Sequence, residues 1–412
     1  MTGLDSVALD PASLYSTPNA LAPSYSRFRV AERLLLTGHS HQAWPDRALA
    51  GQLRAWEDAA EHVDAKWERA FERADRVRAG FARLLGDATG PIALGASTHE
   101  LLVRFLSALP LRERPRLVTT DSEFHSARRQ LDRLAEEGIA VERVAADPAE
   151  SVGERLGAAV DDRTAAVVVS TVFYTHAQRA GALDLAARAC ARHGAELLLD
   201  AYHQLAVVPL SLGDEGLAEA FVVGGGYKYC QLGEGCCFLR LPPNRSLRPA
   251  ITGWFAEFAQ LTDATDDRVA YAAGAEGFAG STYDPTSHYR GAEVFDFFAE
   301  RGLTPALLRE VSQHQVGLLC RLFDELDLPE RTIRRDREVP LARLGGFLAL
   351  RSPRAGEICA ALAASGVLAD SRAEVLRLGP APYLGDAQIA EAVRRLGEVV
   401  RALPRAGRVD AS

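Results

Sequence analysis

No stretch of this sequence approaches the roughly 18 consecutive apolar residues that a membrane-crossing helix requires. Residues 1–30 show no basic start leading into an apolar segment, so no secretory leader is read there and a cytoplasmic protein is expected. Paired cysteines are also missing. The six cysteines, at 190, 230, 236, 237, 320 and 359, form no C-x-x-C motif. The adjacent Cys236 and Cys237 fall in an apolar run, where reduced, buried thiols are expected. Positive charge is in deficit, with 47 Lys and Arg against 55 Asp and Glu and a net charge of −8. Nucleic-acid binders and polybasic membrane proteins need a basic face, so both classes are excluded. Internal repeats and low-complexity tracts are absent as well.

What is present suits a globular α/β chain. Hydrophobic residues make up 48% and charged residues 25%, enough for a sizeable core. The length fits two or three domains, or one large α/β domain with a smaller one. Residues 1–30, rich in Ser, Pro and Ala, read as an extended arm. Helical periodicity from Asp46 to Gly86 predicts one long helix or two. Strands are predicted at 91–95, 116–120, 139–144, 165–171, 196–200, 220–223 and 236–241, with helices at 98–109, 125–137, 149–159 and 183–193 between them. This alternation predicts a mostly parallel, seven-stranded sheet sandwiched by helices. A loop-rich aromatic segment follows at 253–289, then helices near 289–301 and 304–326. The remainder predicts a smaller α/β domain with strands at 344–350 and 375–378, helices at 355–365 and 386–403, and an edge strand within 329–340. The partition expected is an N-terminal arm and loop at 1–45, a large domain at 46–300, a small domain at 301–403 and a frayed tail at 404–412.

Chemistry concentrates in residues 197–229. The apolar run Leu197-Leu198-Leu199 ends in Asp200, with His203 three residues on; Phe221-Val222-Val223 leads into three glycines, Tyr227 and Lys228. Catalytic groups of open α/β sheets gather beyond the carboxyl ends of such strands. A pyridoxal phosphate (PLP) enzyme requires this pair, a lysine to carry the cofactor's aldehyde carbon and an acid to keep its ring nitrogen protonated. Taken singly, Lys228 is equally a snorkelling loop lysine and Asp200 a turn cap. A P-loop is ruled out because Tyr227 separates the glycines from Lys228 and no Ser or Thr follows. Ser97 and Thr98 open a helix with capping-box spacing to Glu100, a geometry that serves a cap or a phosphate seat. Phe124 follows a predicted strand, where an aromatic ring either packs or stacks on a planar cofactor. Arg377 ends another, where an arginine makes a salt bridge or holds a substrate carboxylate. His39 and His41 form an H-x-H pair, the start of an alternative reading as a metal-dependent hydrolase.

In this order the residues resemble the fold-type I, class V aminotransferase superfamily, and within it the kynureninases. The match runs over roughly residues 30–400, and its most specific part is the Asp200-x-x-His203 segment followed by Tyr227-Lys228. The resemblance implies a PLP enzyme in which Lys228, Tyr227 and Asp200 are catalytic. It further implies a cofactor held by Ser97, Thr98, Phe124, Asp200, His203, Tyr227 and Lys228. Gly253-Trp254-Phe255 and Gly280-Ser281-Thr282 match segments that bring Trp254 and Thr282 to the phosphate from the other subunit of a homodimer. Arg377, with the loop residues His39 and Ser40, is implied at the amino-acid substrate. The activity implied is hydrolytic Cβ–Cγ cleavage of kynurenine to anthranilate and alanine, with an aminotransferase or C–S lyase of the same class as alternatives. The sequence departs from the family around the substrate side chain: His39, His41 and Gln42, the loop Phe173–Arg179, Ala256-Glu257 and Tyr283-Asp284.

Overall fold

The computed structural model describes residues 9–243, 245–260 and 269–403. Contacts divide it into two units. The first holds residues 44–174 and 178–309; the second holds 9–43, 175–177 and 310–403. The division thus places 9–43 with the C-terminal residues and falls at Arg309/Glu310.

The first unit is built on seven strands: β1 (Ile92–Gly95), β2 (Arg116–Thr120), β3 (Ala140–Val144), β4 (Thr164–Ser170), β5 (Glu196–Asp200), β6 (Phe221–Gly225) and β7 (Cys237–Arg240). Their order is β1-β7-β6-β5-β4-β2-β3, and only β7 runs antiparallel to its neighbours. The sheet predicted from the alternating pattern is the one observed. Its central strands read as unbroken apolar runs because both faces are covered. Ala166, Val168, Leu198, Phe221 and Val223 pack with Leu101, Leu102 and Phe105 of α3 (Thr98–Ser107) and Leu131 of α4 (His125–Glu136). Helices α5 (Val152–Ala159) and α6 (Leu183–His193) pack on one another beside the sheet.

The segment from Asp46 forms two helices, α1 (Arg47–His62) and α2 (Lys66–Leu84), which break at Val63 with φ 48°. Both pack against α7 (Thr286–Glu300). At the α1–α7 crossing a Cβ on Gly51 would lie 2.5 Å from the Tyr289 carbonyl oxygen, so only glycine allows the approach. Phe81 of α2 joins the sheet to α7 through ring contacts with Phe238 and Phe295.

The second unit contains the antiparallel sheet β9-β10-β8, formed by β8 (Leu348–Arg351), β9 (Asp370–Arg372) and β10 (Val375–Leu378). The boundary falls within α8 (Pro305–Glu325), and α9 (Ala355–Ala364) and α10 (Asp386–Ala402) complete the helices. Two expectations change here. The arm is not extended over its described part: Asp10 caps a short helix, Pro11–Tyr15, and Leu14, Leu21 and Tyr25 are buried. Asn19 fixes it by donating to the carbonyls of Leu14 and Pro382. The segment 329–340 holds no strand, only a single bridge from Arg334 to Arg351. Residues 1–8 of the predicted arm and the tail at 404–412 lie outside the described residues.

A buried charge ends the antiparallel strand of the sheet. Arg240 on β7 is 1% exposed, bonded to Asp87 and to the carbonyls of Ala218 and Ala220. Removing one partner of such a pair leaves the other charge uncompensated. Arg240→Ala is therefore expected to lower unfolding free energy by about 3–5 kcal/mol, read from the urea midpoint at unchanged slope.

Candidate functional site

The strand ends converge as their sequence positions suggest. Thr98, Phe124, Asp200, His203, Tyr227 and Lys228 line one pocket, together with Ser126 and Tyr202. Each is placed by a different element. Thr98 is the first residue of α3, Phe124 precedes α4, and Asp200 ends β5. Lys228 follows β6 across the three glycines, which close packing requires: a Cβ on Gly225 would lie 2.5 Å from Cys237 Sγ, and one on Gly226 would lie 2.6 Å from Leu232.

Lys228 is 4% exposed, and its amine lies 2.9 Å from His203 Nε2. Three rings surround it, with centroids 4.5 Å away for Tyr202, 5.2 Å for Phe124 and 5.7 Å for Tyr227. His203 thus bonds to the lysine itself. Asp200 keeps some surface facing the pocket and accepts from Tyr202 N at 2.9 Å. Burial raises its carboxyl pKa, while the Tyr202 amide and the Lys228 charge act the other way. Burial likewise raises Tyr227 above the usual tyrosine value.

A second acid stands close by. Glu123 is buried; its Oε1 accepts from Thr120 Oγ1 at 2.6 Å, and its Oε2 accepts from Ser170 N at 2.9 Å and Ser170 Oγ at 2.6 Å. Burial pushes it up to about 7, the hydroxyls of Ser170 and Thr120 pull it down, and the Asp200 charge raises it further. Sequence reasoning misses Glu123 and Tyr202. Tyr202 sits inside the Asp200-x-x-His203 segment and is within reach of it; Glu123 shows only as one acid in a polar turn.

Three residues implied at the cofactor lie elsewhere on this chain. Ser97 is exposed and spends its hydroxyl on capping α3, accepting from Glu100 N at 3.2 Å. Trp254 is 42% exposed, and neither it nor the exposed Thr282 lines the Lys228 pocket. Their two segments pack backbone to backbone: Phe255 N donates to Gly280 O, and a Cβ on Gly253 would sit 2.3 Å from the Gly280 carbonyl carbon.

In the second unit Arg377 is 3% exposed and binds Asp370 in a fork, Nε to Oδ1 at 2.7 Å and Nη2 to Oδ2 at 2.5 Å. The two residues are cross-strand partners on β10 and β9. His39 has no exposed surface, and its Nε2 lies 2.9 Å from Asp370 Oδ1. Two such partners hold the Asp370 carboxyl well below the ordinary range against the opposing effect of burial. Ser40 Oγ donates to Thr37 O at 3.1 Å, and His41 is exposed. Among the described residues no three His, Cys, Asp or Glu side chains cluster as a metal site.

The donor set fits PLP: a buried primary amine, a carboxylate across the same pocket, a flanking aromatic ring and a threonine at a helix N-terminus. A family model described as the kynureninase C-terminal domain matches residues 308–396, which include Arg377. A kynureninase of Deinococcus radiodurans is 26% identical over 413 residues, covering 95% of this chain and 97% of that protein. A kynureninase of Xanthomonas campestris is 27% identical, covering 74% of this chain and 75% of its own length. Among solved structures, a C-DES variant with glycine covalently linked to its PLP cofactor superposes with TM-score 0.76 at 15% identity, covering 91% of this chain and 98% of its own. A cysteine desulfurase of Escherichia coli superposes with TM-score 0.75 at 14% identity, covering 97% and 100%. By its sequence relatives, its fold and its pocket, the chain is a kynureninase-like, PLP-dependent enzyme of the class V, fold-type I group.

Proposed function

We propose that the enzyme is a kynureninase-type hydrolase, cleaving the Cβ–Cγ bond of kynurenine or a close aryl-keto amino acid to give anthranilate and alanine. The observation that carries this reading is the similarity to a kynureninase along 95% of the chain. PLP, when bound, supplies an electron sink that stabilises negative charge at the substrate's Cα.

The chain's own residues supply the rest. Lys228 would carry the cofactor's aldehyde carbon, and its amine is the base that takes the substrate's Cα proton. His203 Nε2, 2.9 Å from that amine, orients it and passes the proton. Asp200 would hold the proton on the cofactor's ring nitrogen, and Phe124 would cover the ring. Thr98 and Tyr227 serve the phosphate, joined in a homodimer by Trp254 of the partner subunit and Thr282 of the partner subunit. Tyr227 is the second acid–base group as water adds to the γ-carbonyl. Arg377, oriented by Asp370 and His39, takes the substrate's α-carboxylate. A desulfurase chemistry finds little support in the second unit's thiols. Cys320 and Cys359 lie on α8 and α9, and burial raises both pKa values where a nucleophile needs a lowered one.

The holoenzyme is expected to show a visible absorption band that borohydride bleaches, fixing the cofactor on Lys228. Lys228→Ala should abolish that covalent trapping and lower kcat by about 10³-fold, the usual scale for a lost acid–base group. Incubation with kynurenine should release fluorescent anthranilate and alanine. An intact band with no anthranilate would sink the hydrolase assignment, and amino-group transfer to a keto acid would reassign the enzyme as an aminotransferase. Arg377→Lys should raise KM about 30-fold with a smaller change in kcat, since one charge-assisted bond of roughly 2 kcal/mol is lost.

A further inference from the structure

Glu123 is an acid whose role neither the packing nor the proposed chemistry accounts for. Its three hydrogen bonds all come from neutral donors, Thr120 Oγ1, Ser170 N and Ser170 Oγ. A glutamine would satisfy the same groups, accepting from Ser170 and donating to Thr120, without placing a carboxyl in a dry site. A carboxyl there calls for an electrostatic explanation. Ser170, which Glu123 grips at the end of β4, is the register partner of Asp200 on β5, and Thr171 N donates to the Asp200 carbonyl at 2.9 Å. Glu123, just beyond β2, thus reaches the strand of Asp200 through the end of β4, which lies between β2 and β5, and the Asp200 charge acts on Glu123.

We infer that Glu123 is a positioning residue for Asp200, fixing the strand end that carries it and adding a second negative charge that holds the proton on the cofactor's ring nitrogen. This inference rests on the assignment of Asp200 to that nitrogen. The titratable and charged groups around the cluster are Asp200 at the end of β5, Asp121 in the same turn, His125 at the head of α4, and His203 and Lys228 across the pocket. The two carboxylates repel, and a protonated ring nitrogen held at Asp200 would relieve that repulsion. The arrangement therefore selects a protonated ring over a neutral one.

The sign follows from burial. The folded-state pKa of Glu123, about 7, lies above its ordinary value, so the folded chain loses stability as pH rises through that interval. Glu123→Gln removes this loss, and its unfolding midpoint should gain on wild type between roughly pH 5 and pH 8. Affinity for PLP should move the opposite way. The full-length chain, stripped of cofactor and titrated with PLP, should bind equally well with either residue near pH 6, while at about pH 8 the variant should bind about tenfold more weakly, equivalent to one pKa unit of lost interaction. With 1-deazapyridoxal phosphate, which lacks the ring nitrogen, the two proteins should not differ at any pH.

A variant that weakens PLP equally at all pH values, or weakens the deaza analogue as much, would reduce Glu123 to a packing role and overturn the inference. Wild type binding PLP and the deaza analogue alike would instead overturn the Asp200 assignment, and this inference with it. If Glu123→Gln fails to fold, Thr120→Ala carries the test. It removes one hydrogen bond from the carboxylate, so the wild-type change in PLP affinity should move to higher pH, and an unmoved profile refutes the proposal.

Discussion

A parallel sheet covered on both faces has no place for a charge except beyond the ends of its strands. The first unit depends on that constraint. Asp200 ends β5, Lys228 follows β6, and Glu123 follows β2 by three residues. All three lie at the carboxyl ends, because β2, β5 and β6 run in the same direction. The antiparallel β7 delivers its own charge to the opposite edge, where Arg240 pairs in register with Ile92 and Val222. Arg240 is saturated by Asp87 and two carbonyls, which makes that edge structural. One edge of the sheet neutralises its charge and the other keeps titratable groups facing a pocket.

Keeping such groups costs stability. Burial raises Asp200 and Glu123, so ionising either runs against the preference of a dry site. The Lys228 amine sits between a histidine and three aromatic rings, an environment that cation–π attraction favours and dehydration opposes. A glutamine and an asparagine in place of the acids would give a more stable pocket.

Much of this is legible in the sequence alone. Apolar runs of strand length locate the sheet, and the polar residue at the end of each run locates Asp200 and Lys228, because both periodicity and burial follow from local sequence. Thr98 is legible through the capping pattern, although Ser97 proves to be the cap and Thr98 the pocket residue. Glu123 is not legible: its meaning depends on Ser170, a residue 47 positions away that meets it only through strand order. The strand Asp370–Arg372 escapes for a different reason. With no alternation of apolar residues, it exists through pairing to β10. The arm misleads because its composition suggests an open chain, whereas three buried side chains and one asparagine fold it.

Arg377, proposed to take the substrate's carboxylate, is fixed in place by its own neighbours. Its guanidinium has five N–H donors in a planar fork, and Asp370 takes Nε and Nη2 in bidentate fashion. That commitment fixes the plane of the group, and Phe347 lies beside it with the guanidinium carbon 5.8 Å from the ring centroid. His39 anchors the carboxylate from the other side, its own ring 4.8 Å from Phe347. A lone buried arginine would lose rotamer freedom upon binding; this one has lost it on folding, so a carboxylate ligand orders less of the protein. The departure at His39 is therefore best understood together with Asp370. The loop that differs from the family pattern contributes a side chain, His39, to the carboxylate that holds the arginine.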